Sequence, residues 1–111
     1  MNVTPEWVTR VYDVYLEDLQ ELQRAYIEWE DAKENLDIAI YLATIEGRIE
    51  GKNPEVRAAV AYTELRQEHE IERQLRRVYT QAKHQLALSQ LEVERISMLM
   101  GLMNQPIDNG G

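Results

Sequence analysis

The sequence predicts an all-α protein: an antiparallel two-helix coiled-coil hairpin that assembles into a four-helix or larger bundle. Three observations predict it. Glu, Leu, Ala, Arg and Gln, all strong helix formers, are common, whereas the 111 residues hold only five Gly and three Pro, with no Phe and no Cys. Hydrophobic residues make up 44 % of the chain, enough to build a core in a single domain spanning 1–111. Two long heptad runs flank one central interruption.

The first helix is expected over 5–50. The Thr4 hydroxyl can cap free N–H groups, Pro5 tolerates the first helical position, and Glu6 suits the positive end of the dipole. Val8, Tyr12, Tyr15, Leu19, Leu22, Tyr26, Trp29, Lys33, Leu36, Ile40, Ala43 and Gly47 alternate spacings of four and three, and ten of these twelve are apolar. The bend is expected at 51–53. Gly51 suits the left-handed position after a helix, Asn53 is a good N-cap, and Pro54 followed by Glu55 restarts the helix. A Walker loop needs four residues between its glycines and a Ser or Thr after the Lys. Here Gly47 and Gly51 are separated by three residues, and Lys52 is followed by Asn53, so phosphate binding is set aside.

The second helix is expected over 54–104, with a seam of Ala61, Leu65, Glu68, Glu72, Leu75, Tyr79, Ala82, Leu86, Ser89, Val93, Ile96, Met100 and Met103. Residues 105–111, QPIDNGG, are expected to be a flexible tail. So short a connection forces antiparallel neighbours. Pairing about residue 52 sets Trp29 near Leu75, Tyr26 near Tyr79 and Leu22 near Ala82. It also sets Lys33 opposite Glu68 and Glu72, a buried polar layer that fixes register more than it adds stability.

A two-helix hairpin has one mutual stripe to bury, and this chain has more apolar residues than that stripe takes. Ile38, Leu42 and Ile45 near the bend, Trp7, Val11 and Val14 on the first helix, and Leu88, Leu91, Met98 and Leu102 on the second need another surface. A homo-oligomer, with a dimer favoured, is the simplest solution; a host protein seated in a binding groove is the rival.

The net charge of −8 lies in the first fifty residues, which hold twelve acids and four bases; residues 51–111 hold eight of each. Such a surface opposes direct binding to nucleic acid, whose phosphates need Lys and Arg. Arg66, Arg73, Arg76 and Arg77 interleave with Glu68, Glu70 and Glu72 as a salt-bridged helix surface. Asp13, Glu17, Glu21, Glu28 and Asp31 form an acidic face. It reads as a solvated helix back or as a dock for a basic partner. From the lack of cysteine and of a signal peptide or membrane span, a reducing cytoplasm away from membranes is the expected location.

No residue set calls for catalysis, a metal or a cofactor. His69 and His84 are fifteen residues apart, the residues three before them are Arg66 and Gln81, and His69-Glu70-Ile71-Glu72-Arg73 lacks the second His of a zinc-protease helix. No Ser has a plausible His partner.

Ile49-x-Gly51-Lys52-Asn53-x-x-x-Arg57 resembles an element found between the two long helices of small helical-hairpin proteins of unknown function from bacteriophage and prophage genomes. The resemblance covers the end of the first helix and the start of the second. It implies an accessory or host-takeover factor working in the host bacterial cytoplasm, and it assigns no residue a catalytic role. The expected function is therefore a non-enzymatic, self-associating interaction protein. The alternative is an anti-defence (anti-CRISPR-like) inhibitor whose acidic helix blocks a basic nucleic-acid channel of a host complex.

Overall fold

The computed structural model describes residues 3–103. Helices α1 (Pro5–Ile45), α2 (Pro54–Glu64) and α3 (Arg66–Met103) follow in order, and no strand occurs among the described residues. Residue 104 and the tail expected over 105–111 lie outside them. The chain divides into two compact units. A bend unit runs from Gln23 to Gln81, and an end unit joins the described residues up to Leu22 with those from Ala82 to Met103. No helix among the described residues is long and apolar enough to cross a membrane.

Helix α1 starts as its sequence dictates: the Trp7 N–H donates to Thr4 Oγ1 at 3.1 Å and the Val8 N–H to the Thr4 carbonyl at 3.0 Å. It ends at Ile45, five residues short of the expected 50. The cause is Gly47, whose φ of 74° is the positive φ among the described residues; Gly51 is not the left-handed position. The Gly47 N–H donates to the Thr44 carbonyl at 3.1 Å and the Arg48 N–H to the Ala43 carbonyl at 2.9 Å. This is the paired Schellman closure of a helix C-terminus, and it turns the chain so that Ile49 packs beside Ala43.

The next helix begins at an extended Asn53, whose side chain accepts the Val56 N–H at 2.9 Å, with Pro54 in the first turn. Gly51 matters for space instead. A Cβ there would lie 2.7 Å from Val56 Cγ1 and 3.0 Å from the Arg57 backbone nitrogen.

The single helix expected over 54–104 is interrupted at Leu65, where φ and ψ are −116° and 40°. The ladder survives the departure. The Leu65 N–H still reaches the Ala61 carbonyl at 2.9 Å and its own carbonyl accepts the His69 N–H at 3.0 Å. The Leu65 side chain is buried with Ala43, Ile49 and Ala61, against the flanks of Ala39 and Ile40.

The second-helix seam is read correctly across that interruption from Ala61 to Ile96, every position being buried or half-buried; Met100 and Met103 beyond it are exposed. On α1 every other expected position holds: Tyr15, Leu22, Trp29, Leu36 and Ala43. Ile40 between them is also half-buried against the core cluster, whereas at Tyr12, Leu19, Tyr26 and Lys33 the more buried position is the residue before. Ala25 and Ala32 are buried to 1 % and 7 % exposure where Tyr26 and Lys33 were expected, and Tyr26 is 45 % exposed. Alanine carries one methyl group, so burying it requires the facing helix to come close, and the larger Tyr and Lys are displaced to the edge.

Candidate interaction surface

Within the bend unit, α1 and α3 run antiparallel: Tyr26 meets Tyr79, while Trp29, further along α1, reaches Glu72, earlier on α3. Trp29 and Tyr79 stack with ring centroids 5.0 Å apart and planes 21° from parallel, and Tyr26 tilts against Tyr79 at 5.5 Å. Tyr26 is thus near Tyr79 as the pairing about residue 52 requires.

The expected polar layer is rearranged around this cluster. Among the described residues Lys33 makes no direct ion pair with Glu68 or Glu72. Its ion pair is with Glu30 at 2.6 Å, three residues back on its own helix, and its ammonium sits 4.1 Å from the Trp29 ring centroid. The hydrogen bond with Glu30 is the main reason its pKa lies above the ordinary lysine value, and the charge of Glu72 helps to hold it there. The Trp29 indole N–H takes Glu72 Oε1 at 3.2 Å, and the Arg76 guanidinium lies 3.8 Å from Glu72 Oε2. Glu72 is the shielded member, its side chain 14 % exposed, while Lys33 is 39 % exposed. The physical reason is again Ala32: with alanine in the seam, residue 33 faces outward along the edge.

Glu68 lies beside a second feature of the same unit. Glu28, Asp31 and Glu68 rim an open groove floored by Leu36, Ile71 and Leu75. Two members of the expected acidic face therefore stand here, with Glu28 held by Arg24 at 2.7 Å and Asp31 exposed. Asp13, Glu17 and Glu21 are exposed on α1 in the end unit. The Arg73 guanidinium is bound to Glu70 on its own helix, as expected of a salt-bridged surface.

Ile38, Leu42 and Ile45 form an exposed apolar stripe at the end of α1, each at least 49 % exposed, with Tyr41 beside them at 65 %. These residues recur at the four- and three-residue spacing of a single helix face.

In the end unit, Trp7, Val11 and Val14 from α1 meet Leu88 from α3 as the floor of a groove of about 300 Å³. Trp7 and Val11 are half-buried, whereas Val14 and Leu88 are 39 % and 47 % exposed. Arg10 and Glu92 stand in the same groove, one from each helix. Sequence reading missed both as surface-defining residues. Their signal was position: Arg10 lies three residues after Trp7, and Glu92 four after Leu88. Leu91, Met98 and Leu102 are exposed to 60 % or more, outside that groove.

His69 belongs to the bend unit and His84 to the end unit. The His69 ring lies 5.2 Å from Tyr62, and its Nε2 is buried without a hydrogen-bond partner. No group of three His, Asp or Glu side chains is arranged to hold a metal ion among the described residues.

Each fixed residue of the Ile49-x-Gly51-Lys52-Asn53-x-x-x-Arg57 element except Lys52 has a local structural task. Ile49 is buried, Gly51 leaves room for Val56, Asn53 caps α2, and Arg57 Nη1 donates to the Gly51 carbonyl at 3.2 Å. The element builds a bend. Compared with protein-family models, curated proteins and solved structures, the chain matches none.

Proposed function

We propose that this chain is a non-enzymatic helical interaction protein that self-associates and acts by binding protein, as an accessory or host-takeover factor of a phage. One observation carries the reading: most of the fully enclosed positions hold alanine, and many large apolar side chains are exposed. Of the eight buried hydrophobic residues among those described, five are alanine, and Ile96 is the one large side chain below 2 % exposure. Nineteen large hydrophobic residues among those described are exposed.

The magnitudes decide how much must be covered. Fully burying one such side chain contributes about 1.5–3 kcal/mol, so covering its remaining half contributes about 1 kcal/mol. Association costs on the order of 4–15 kcal/mol. A stable complex therefore requires whole stripes to be covered, and the stripes at Ile38, Leu42 and Ile45 and along Leu88, Leu91, Met98 and Leu102 are of that kind. Leu91→Asp tests the reading because Leu91 is 60 % exposed and contributes little to the fold of one chain. Sedimentation is expected to show a lighter species for the variant with unchanged helical circular dichroism; an unchanged mass would remove Leu91 from the interface.

A second reading rests on charge. From Met1 to Leu22 the chain holds five acids and one base, and Asp13 and Glu17 are exposed there. That face suits the basic nucleic-acid channel of a host defence complex. Charge reversal at Glu17 and Glu21 separates the two: it abolishes inhibition under the second reading and leaves self-association intact under the first.

A further inference from the structure

We infer that a second copy of this chain sits on the end-unit groove in one orientation, with the Arg10 of each copy facing the Glu92 of the other. This deepens the self-association reading and rests on it. The groove has an apolar floor of Trp7, Val11, Val14 and Leu88, with one cation on its α1 wall and one carboxylate on its α3 wall.

Arg10 is open to a partner, and Glu92 is only partly engaged within the chain. Arg10 is exposed and makes no ion pair among the described residues. Glu92 meets Arg95 on its own helix at 3.6 Å, with both side chains 49 % exposed, and a carboxylate has acceptor sites for more than one donor.

A two-fold interface must be complementary to itself, since the same patch appears on both sides. A patch with one cation and one anion on opposite walls meets that requirement in a particular way. A two-fold axis running along the helices lays α1 of one copy over α3 of the other. It sets floor on floor and brings Arg10 to Glu92 twice. An axis running across the helices lays α1 over α1 and takes Arg10 away from Glu92. Charge complementarity therefore selects both the occupant and its orientation.

The test uses the full chain and two exposed positions, Arg10→Glu and Glu92→Arg. In a homodimer of either variant both charge contacts become repulsive, and each variant is expected to dimerise about tenfold or more weakly than the wild type. Mixing the two variants creates a heterodimer in which both contacts are attractive again, so sedimentation of the mixture is expected to recover the wild-type mass.

Recovery by mixing supports the arrangement, because pairing within one chain cannot be repaired from a second chain. If the wild type is a dimer but the single variants dimerise as well as it does, or mixing restores nothing, the arrangement is wrong while self-association stands. A monomeric wild type overturns both together.

Discussion

The bend and the open end of this molecule solve the same packing problem by different means. Around the bend, order comes from backbone chemistry: a Schellman closure at Gly47, an Asn53 cap, and a small cluster of Ala43, Ile49, Ala61 and Leu65. The aromatic stack of Trp29 and Tyr79 adds a specific contact about four turns further along. In the end unit the seam is Ala82, Ser89 and Ile96 on α3, seven residues apart, and the apolar groove beside it lies open. The bend is closed by its own chain yet leaves the Ile38, Leu42 and Ile45 stripe exposed, while the end unit leaves a groove as well as a stripe. Capping and turn chemistry need no partner; a stripe of large apolar side chains does.

The sharpest way to break that contrast is to remove the one large side chain fully buried in the end unit. Ile96→Ala is expected to cost about 2–5 kcal/mol in chemical denaturation, because truncation leaves a cavity where Ile96 is at 0 % exposure. A loss below about 1 kcal/mol would mean that the open end has little core to lose.

The next largest effect belongs to the close helix approach in the bend unit. Ala32→Leu is expected to destabilise by about 1–3 kcal/mol, since a larger side chain at 7 % exposure forces the helices apart. The same substitution at Lys33, on the edge, should be nearly neutral by the same melt. Equal losses at both positions would return the seam to residue 33.

Asn53→Ala gives the smallest change, about 1 kcal/mol, from losing the acceptor of the Val56 N–H. Thermal melts read it. No measurable shift would show that the bend is held by Ile49 and Leu65 without its cap.

The order of legibility follows the range of each interaction. Asn53, Pro54 and the Thr4 cap are short-range signals written within three or four residues, and the structure places them where the sequence does. The helix end at Ile45 was missed because two glycines competed for the left-handed position, and only the packing of Ile49 beside Ala43 distinguishes Gly47 from Gly51.

The α1 seam was half legible for a similar reason. A heptad search weighted toward large apolar residues prefers Tyr26 to Ala25, yet the recurrence of Ala25, Ala32 and Ala39 at seven-residue intervals was present in the chain. The interruption at Leu65 carries no Gly or Pro to announce it. The groove charges Arg10 and Glu92 carried a positional signal beside Trp7 and Leu88, but their meaning depends on the opposite helix wall.

Measuring the mass of the purified wild-type chain by sedimentation equilibrium, across a hundredfold range of concentration, tests most directly the claim that the outward-facing stripes need another chain. Twice the 13.0 kDa chain mass or a higher multiple is expected, falling toward one chain on dilution. A mass of one chain at every concentration would contradict it.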